Sequence, residues 1–162
     1  MSIKPRVYLD TSVISHLLAT DVPEKQSDTL KLWEQLKCGE FVVVLSPVVY
    51  EEMDKCNEAH KNALYEHVRA IDVMYVEENE KIIALAEEYL QMGVLKPKSY
   101  NDCLHIAYAS HSACKYMLSW NMKHFVTRKT IEMVQIVNQR SGFPQPYIMT
   151  PEMFIEEDED NA

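Results

Sequence analysis

VYLDTSVISHLL, residues 7–18, sets a single carboxylate, Asp10, at the end of an apolar run and follows it with two hydroxyls, Thr11 and Ser12, before apolar residues resume. Its first residues belong to RVYL (6–9), a short β-branched and aromatic run that reads as a buried strand, and a helix follows over 13–18. Buried strands seldom end on a charge without cause. Asp, Thr and Ser are all good helix N-caps, so capping alone explains the stretch, and so does a chemical role for the carboxylate.

Further strand-like runs recur along the chain: FVVVL (41–45), IDVMYV (71–76), KYMLSW (115–120) and a short YIM (147–149) fenced by Pro144, Pro146 and Pro151. Helical patterns separate them. DTLKLWEQL (28–36) puts Leu30, Trp33 and Leu36 on one side at spacing three, and EKIIALAEEYLQMG (80–93) puts Ile82, Leu85, Ala86, Tyr89 and Leu90 on one face, with Gly93 as its C-cap. DCLHIAYASHSA (102–113) reads as a third, unusually apolar helix. Strands separated by helices require crossover connections, which predicts an α/β chain: a three-layer α/β/α fold with a central, mainly parallel sheet covered on both faces.

Composition narrows the function classes. At 162 residues, 47% hydrophobic and 25% charged, the chain is expected to form one soluble domain over 1–155, with the acidic end, 156–162, as an unstructured tail. No apolar run is long enough to span a bilayer and no signal-peptide core is visible, so a cytoplasmic protein with no membrane partner is expected. Cys38, Cys56, Cys103 and Cys114 form no C-x-x-C pair, which speaks for reduced thiols over structural zinc. With only three glycines there is no glycine-rich phosphate loop, and no G-x-S-x-G elbow for a serine hydrolase. The net charge of −9 disfavours a broad nucleic-acid surface, although the run EEDED (156–160) supplies five of those charges.

In open α/β sheets, ligands sit beyond the carboxyl ends of the strands. Asp10 follows the first strand. LSPVVYEEM (45–53) follows the second, with Pro47 opening a helix and Glu51 and Glu52 in its second turn; Glu51 reads as a solvated charge. Asp102 opens the apolar helix, where Ser99 stands at capping-box spacing, and LSWNMKHF (118–125) puts Ser119 and Asn121 after the fourth strand, Asn121 also suiting an N-cap. Each position has a structural explanation. Jointly, Asp10, Glu52, Asp102 and Asn121 collect on one edge of the sheet. Carboxylates gathered there repel one another and need a compensating cation. A hard divalent ion that takes oxygen ligands suits them, and such an ion can activate water at a phosphodiester.

The stretches VYLDTSVIS, LSPVVYEEM, NDCLHIAYA and LSWNMKHF, in this order over roughly residues 6–126, resemble the PIN-domain nucleases, most closely the VapC-like toxin-type endoribonucleases. The resemblance implies a PIN-like α/β/α fold and Mg²⁺- or Mn²⁺-dependent cleavage of RNA. It also implies a homodimer and a cognate antitoxin partner. Asp10, Glu52 and Asp102 match the family's acidic metal ligands, Thr11 or Ser12 the hydroxyl beside the first, and Ser119-Trp120-Asn121 the last motif. That motif commonly ends in Asp; Asn121 offers a neutral carbonyl instead. His124 lies nearby as a supporting group, while His105 reads as packing or as a neighbour of a ligand. Lys96, Lys98, Lys123, Arg128 and Lys129 are the candidate RNA contacts in an otherwise acidic chain. Unpaired RNA is the expected substrate.

Two other readings stay beside this one. A PIN-like module that binds RNA or a protein without turnover follows if Asn121 disables the site. A haloacid-dehalogenase-like phosphatase would want a second aspartate two residues after the first, where Ser12 stands.

Overall fold

The computed structural model describes residues 3–160. Its centre is a five-stranded sheet: β1 (Arg6–Leu9), β2 (Val42–Leu45), β3 (Val73–Tyr75), β4 (Tyr116–Leu118) and β5 (Tyr147–Met149), in the order β3-β2-β1-β4-β5. Every pairing is parallel; Tyr8 sits opposite Val44 on one side and Met117 on the other. The helices are α1 (Thr11–Ser15), α2 (Pro23–Lys37), α3 (Pro47–Asp54), α4 (Glu58–Arg69), α5 (Glu80–Gln91), α6 (Tyr100–His111), α7 (Arg128–Ser141) and α8 (Pro151–Asp160). Around the sheet, α5 packs against α6 and α7, and α2 packs on α8. The three-layer architecture predicted from strand–helix alternation is the one observed.

Both faces being covered explains why the central strands carry few polar residues: Val7, Tyr8, Leu9, Val43, Val44, Leu45, Met117 and Leu118 are all buried. Gly93 ends α5 as expected. It adopts φ +74°, its N–H reaches the Leu90 carbonyl at 3.1 Å, and the Val94 N–H reaches that of Tyr89 at 3.0 Å.

Three local expectations need correction. The buried stripe of α2 is Thr29, Leu32, Trp33 and Leu36, while Leu30 is 42% exposed. Spacing three drifts off a 3.6-residue turn, and the i, i+3, i+4, i+7 set is the one that faces the core. The acidic run 156–160 continues α8 rather than forming a separate tail; Asn161 and Ala162 lie outside the described residues. Thr150 starts that helix, its Oγ1 accepting the Met153 N–H at 3.2 Å, and Phe154 anchors it against the Phe41 and Tyr116 rings. Finally, Asn121 begins an irregular turn rather than a helix, and α7 starts later, where Thr127 caps the Thr130 N–H at 3.1 Å.

The connections from β1 run toward β2 and β3, and the chain then crosses back to β4 and β5. The strand order therefore reverses between β1 and β4. That is the crevice where a ligand is expected, and Asp10 and Ser119 are the first residues beyond those two strands.

Candidate active site

Asp10 lies in that crevice, only 4% exposed. Its Oδ1 accepts the Val13 N–H at 3.3 Å, so it does cap α1. It does more than that. Ser12 Oγ donates to Oδ1 and Ser119 Oγ donates to Oδ2, both at 2.6 Å. The same two hydroxyls accept backbone N–H groups, Trp120 on Ser12 and Asn121 on Ser119, each at 2.9 Å. Two serines thus form rungs that bind the residues after β4 to those after β1. Trp120 locks the arrangement from outside, donating Nε1–H to Thr29 Oγ1 at 2.9 Å.

This carboxylate has hydroxyl and amide donors, and among the described residues no Lys, Arg or His makes an ion pair with it. Burial pushes its pKa above the ordinary 3.8; the nearby charge of His105 and the hydrogen bonds from Ser119, Ser12 and Val13 pull the other way without cancelling it. The fold holds an anion there at a cost.

Glu52 stands beside it on α3. Thr11, adjacent to Asp10, donates to Glu52 Oε1 at 3.0 Å, and His105 Nε2 meets the same oxygen at 2.8 Å. The two hydroxyls are therefore divided: Ser12 serves Asp10 and Thr11 serves Glu52. Behind His105 runs a buried relay, Tyr8 Oη to His105 Nδ1 at 2.6 Å and Ser46 Oγ to Tyr8 Oη at 2.8 Å. Every atom is satisfied when Ser46 donates to Tyr8, Tyr8 to Nδ1, and Nε2–H to the carboxylate. Burial would raise the Glu52 pKa, but the hydrogen bond and charge of His105, with Thr11 and Lys55, outweigh it and lower it. Glu51, one residue earlier, is exposed as expected.

Asp102 opens α6 but caps nothing. The chain enters the helix through a 3-10 turn, Pro97–Ser99, which leaves Ser99 at φ −103°, ψ 30°, away from the extended geometry of a capping residue. The Asp102 side chain instead meets His124 Nδ1 through Oδ2 at 2.6 Å. His124 thus reaches Asp102 across 22 residues of chain. Asn121 reaches the site through its backbone, and among the described residues its side-chain amide has no hydrogen-bond partner.

Tyr8, Ser46 and His105 are the participants that residue-by-residue reading underrated. His105 sits three residues after Asp102, on the same face of α6, and that spacing was the available signal. Of the expected RNA contacts, Lys96, Lys98, Lys123 and Lys129 line one groove of about 710 Å³ together with His124. Arg128 does not line it and pairs with Glu132 at 2.8 Å.

A model of the PIN domain matches residues 7–122, and the chain belongs to the PIN-domain family. Solved structures with the same fold include VapBC2 from Rickettsia felis bound to a DNA fragment from their promoter (13% identity, TM-score 0.55, covering 90% of this chain and 98% of that one). VapC20 of Mycobacterium tuberculosis, a sarcin-ricin loop cleaving toxin, matches at 14% identity and TM-score 0.56 over 86% and 97% of the two chains. VapBC-1 from nontypeable Haemophilus influenzae matches at 14% and 0.56 over 91% and 98%. No curated protein matches the sequence. At these identities the likeness is one of fold.

Proposed function

We propose that this chain is a divalent-metal-dependent endoribonuclease of the toxin type, in which Asp10, Glu52 and Asp102 hold Mg²⁺ or Mn²⁺. The observation that carries this reading is Asp10 itself, a buried carboxylate braced on both oxygens at the switch point of a PIN-domain sheet, with no cationic side chain in an ion pair with it. Among the described residues no three His, Cys, Asp or Glu side chains converge into a preformed metal cage. The donor chemistry nevertheless fits a hard cation. Glu52 Oε2 and Asp102 Oδ1 make no hydrogen bond within the described residues, because the histidines and Thr11 all bond the other oxygens. A bound cation would neutralise phosphate charge and activate water for attack on phosphorus. The chain's own contribution is placement: Ser12 and Ser119 fix Asp10, Thr11 and His105 fix Glu52, and His124 fixes Asp102. Asn121, held by its backbone N–H on Ser119 Oγ, would supply a neutral carbonyl oxygen, and the lysines of the groove would contact RNA phosphates.

The VapBC assemblies of the same fold support an antitoxin partner, and the resemblance to toxin-type PIN domains adds a homodimer working in the cytoplasm. Among the described residues no helix is long and apolar enough to cross a membrane. The direct test is incubation of a pool of single-stranded and structured RNAs with Mn²⁺, Mg²⁺ or EDTA. Cutting that needs metal and falls on the order of a hundred- to a thousandfold in Asp10→Asn is expected. RNA bound but left intact by both proteins, with either metal, would instead identify a non-catalytic PIN module and make Asn121→Asp the next variant.

A further inference from the structure

The carboxyl edge of the sheet is sorted by charge. On the β4 side, Lys96, Lys98, Lys123 and Lys129 rim the groove; all four are exposed, and among the described residues none forms an ion pair. Its floor is apolar, formed by Leu90, Val94, Leu95 and Pro97. On the β2–β3 side the exposed charges include Glu51, Asp54, Glu77 and Glu78, with Lys55 among them. Glu78 and Glu51 lie near enough to Tyr108 to raise the pKa of its hydroxyl after burial has done so. An aromatic ledge, Tyr50 against Tyr75 at 5.5 Å and Tyr65 at 5.9 Å, occupies the same flank. Asp10 sits between the two halves because β1 sits between β2 and β4 in the sheet.

Resting on the ribonuclease reading above, we infer that the RNA strand is gripped by its phosphates on one side of the site only. Phosphates are held by the four lysines beyond β4, over an apolar floor that accommodates sugar and base, and no phosphate contact is made past Glu52. A polyanion laid across the whole edge would run from cations onto four carboxylates. The strand therefore leaves the site on that flank without a backbone contact. This makes substrate recognition short and lopsided, with the nucleotides on one side of the cut contributing nearly all of the affinity.

The test is fluorescence anisotropy of a labelled, unpaired RNA of about 12 nucleotides in EDTA, so that nothing is cut, across a salt series. Four neutralised phosphates predict affinity falling roughly 50-fold between 50 and 200 mM salt. Lys96→Gln/Lys98→Gln/Lys123→Gln/Lys129→Gln should flatten this dependence severalfold, with its melting curve confirming the fold. Lys55→Gln, on the β2–β3 flank, should leave it unchanged. Unaltered binding by the fourfold variant, or equal loss in Lys55→Gln, overturns the one-sided grip. The cleavage assay run in parallel separates the two ideas. A protein that cuts RNA but fails the salt comparison loses only the groove, and one that passes it without cutting loses only the nuclease.

Discussion

Asp10→Asn should melt higher than wild type at neutral pH in EDTA, by about 2–4 °C, while losing RNA cleavage. The gain follows from the environment of the carboxylate. Burial raises its pKa, so the folded state holds the proton more tightly than the unfolded chain. As pH rises from 3.8 through the higher folded value, the unfolded chain ionises first and stability falls; above that range the full cost of the buried anion is present. Asparagine keeps the shape and most of the hydrogen bonds and removes the charge. Relief of this kind at functional sites is commonly worth about 0.5–2 kcal/mol, which for a chain of this size is a few degrees. The gap between the two proteins should close as pH falls toward 3.8. Adding Mn²⁺ should reverse the order, because metal at one hundred times its Kd adds about 2.7 kcal/mol to wild type alone. Differential scanning fluorimetry across pH, with and without metal, reads all of this. A variant that melts below wild type in EDTA at pH 7 would show that the carboxylate is a structural cap and nothing more.

His105→Ala carries the largest expected loss of stability. The imidazole is 3% exposed and joins Tyr8 to Glu52, so its removal opens a cavity and leaves the buried Tyr8 hydroxyl with Ser46 as its one remaining side-chain partner. Glu52 is one-third exposed and can recover water, which moderates the penalty. Together these cost roughly 3 kcal/mol, or about 6–12 °C in Tm. Activity should fall as well, since Glu52 then keeps only Thr11 to orient it. His105→Gln, able to donate to Glu52, should recover part of both. A His105→Ala protein as stable as wild type would mean that the relay is incidental to the fold.

Much of this architecture was legible because it rests on local chemistry. RVYL and YIM coincide with β1 and β5, since a strand buried on both faces must be a short apolar run whatever surrounds it. Asp10 stood out for the same reason, as a charge directly after such a run. What stayed hidden depended on partners chosen in three dimensions. Ser99 and Asp102 have capping-box spacing, yet the 3-10 turn before α6 spoils the geometry and frees Asp102 for His124, 22 residues away. His105 read as packing or as a neighbour of a ligand, but its partners were out of reach of local pattern: Tyr8 is 97 residues away and Glu52 is 53.

Thr11 and Ser12 show the limit most clearly. Adjacent hydroxyls beside one carboxylate suggest a shared task, but successive residues at a helix start diverge by about 100°, so one turns to Asp10 and the other to Glu52. The acidic run was misjudged by composition. Its charge alone suggested a free tail, whereas Thr150 and Phe154 tie the helix down from its other end.

The central claim is that Asp10, Glu52 and Asp102 act as one metal site although each is braced separately. Calorimetric titration of the metal-free protein with Mn²⁺ tests it most directly, using wild type, Asp10→Asn and Asp102→Asn. Saturable binding to wild type that weakens at least about tenfold in both variants is the predicted result. Equal affinity in all three proteins, or no binding to wild type, would contradict it.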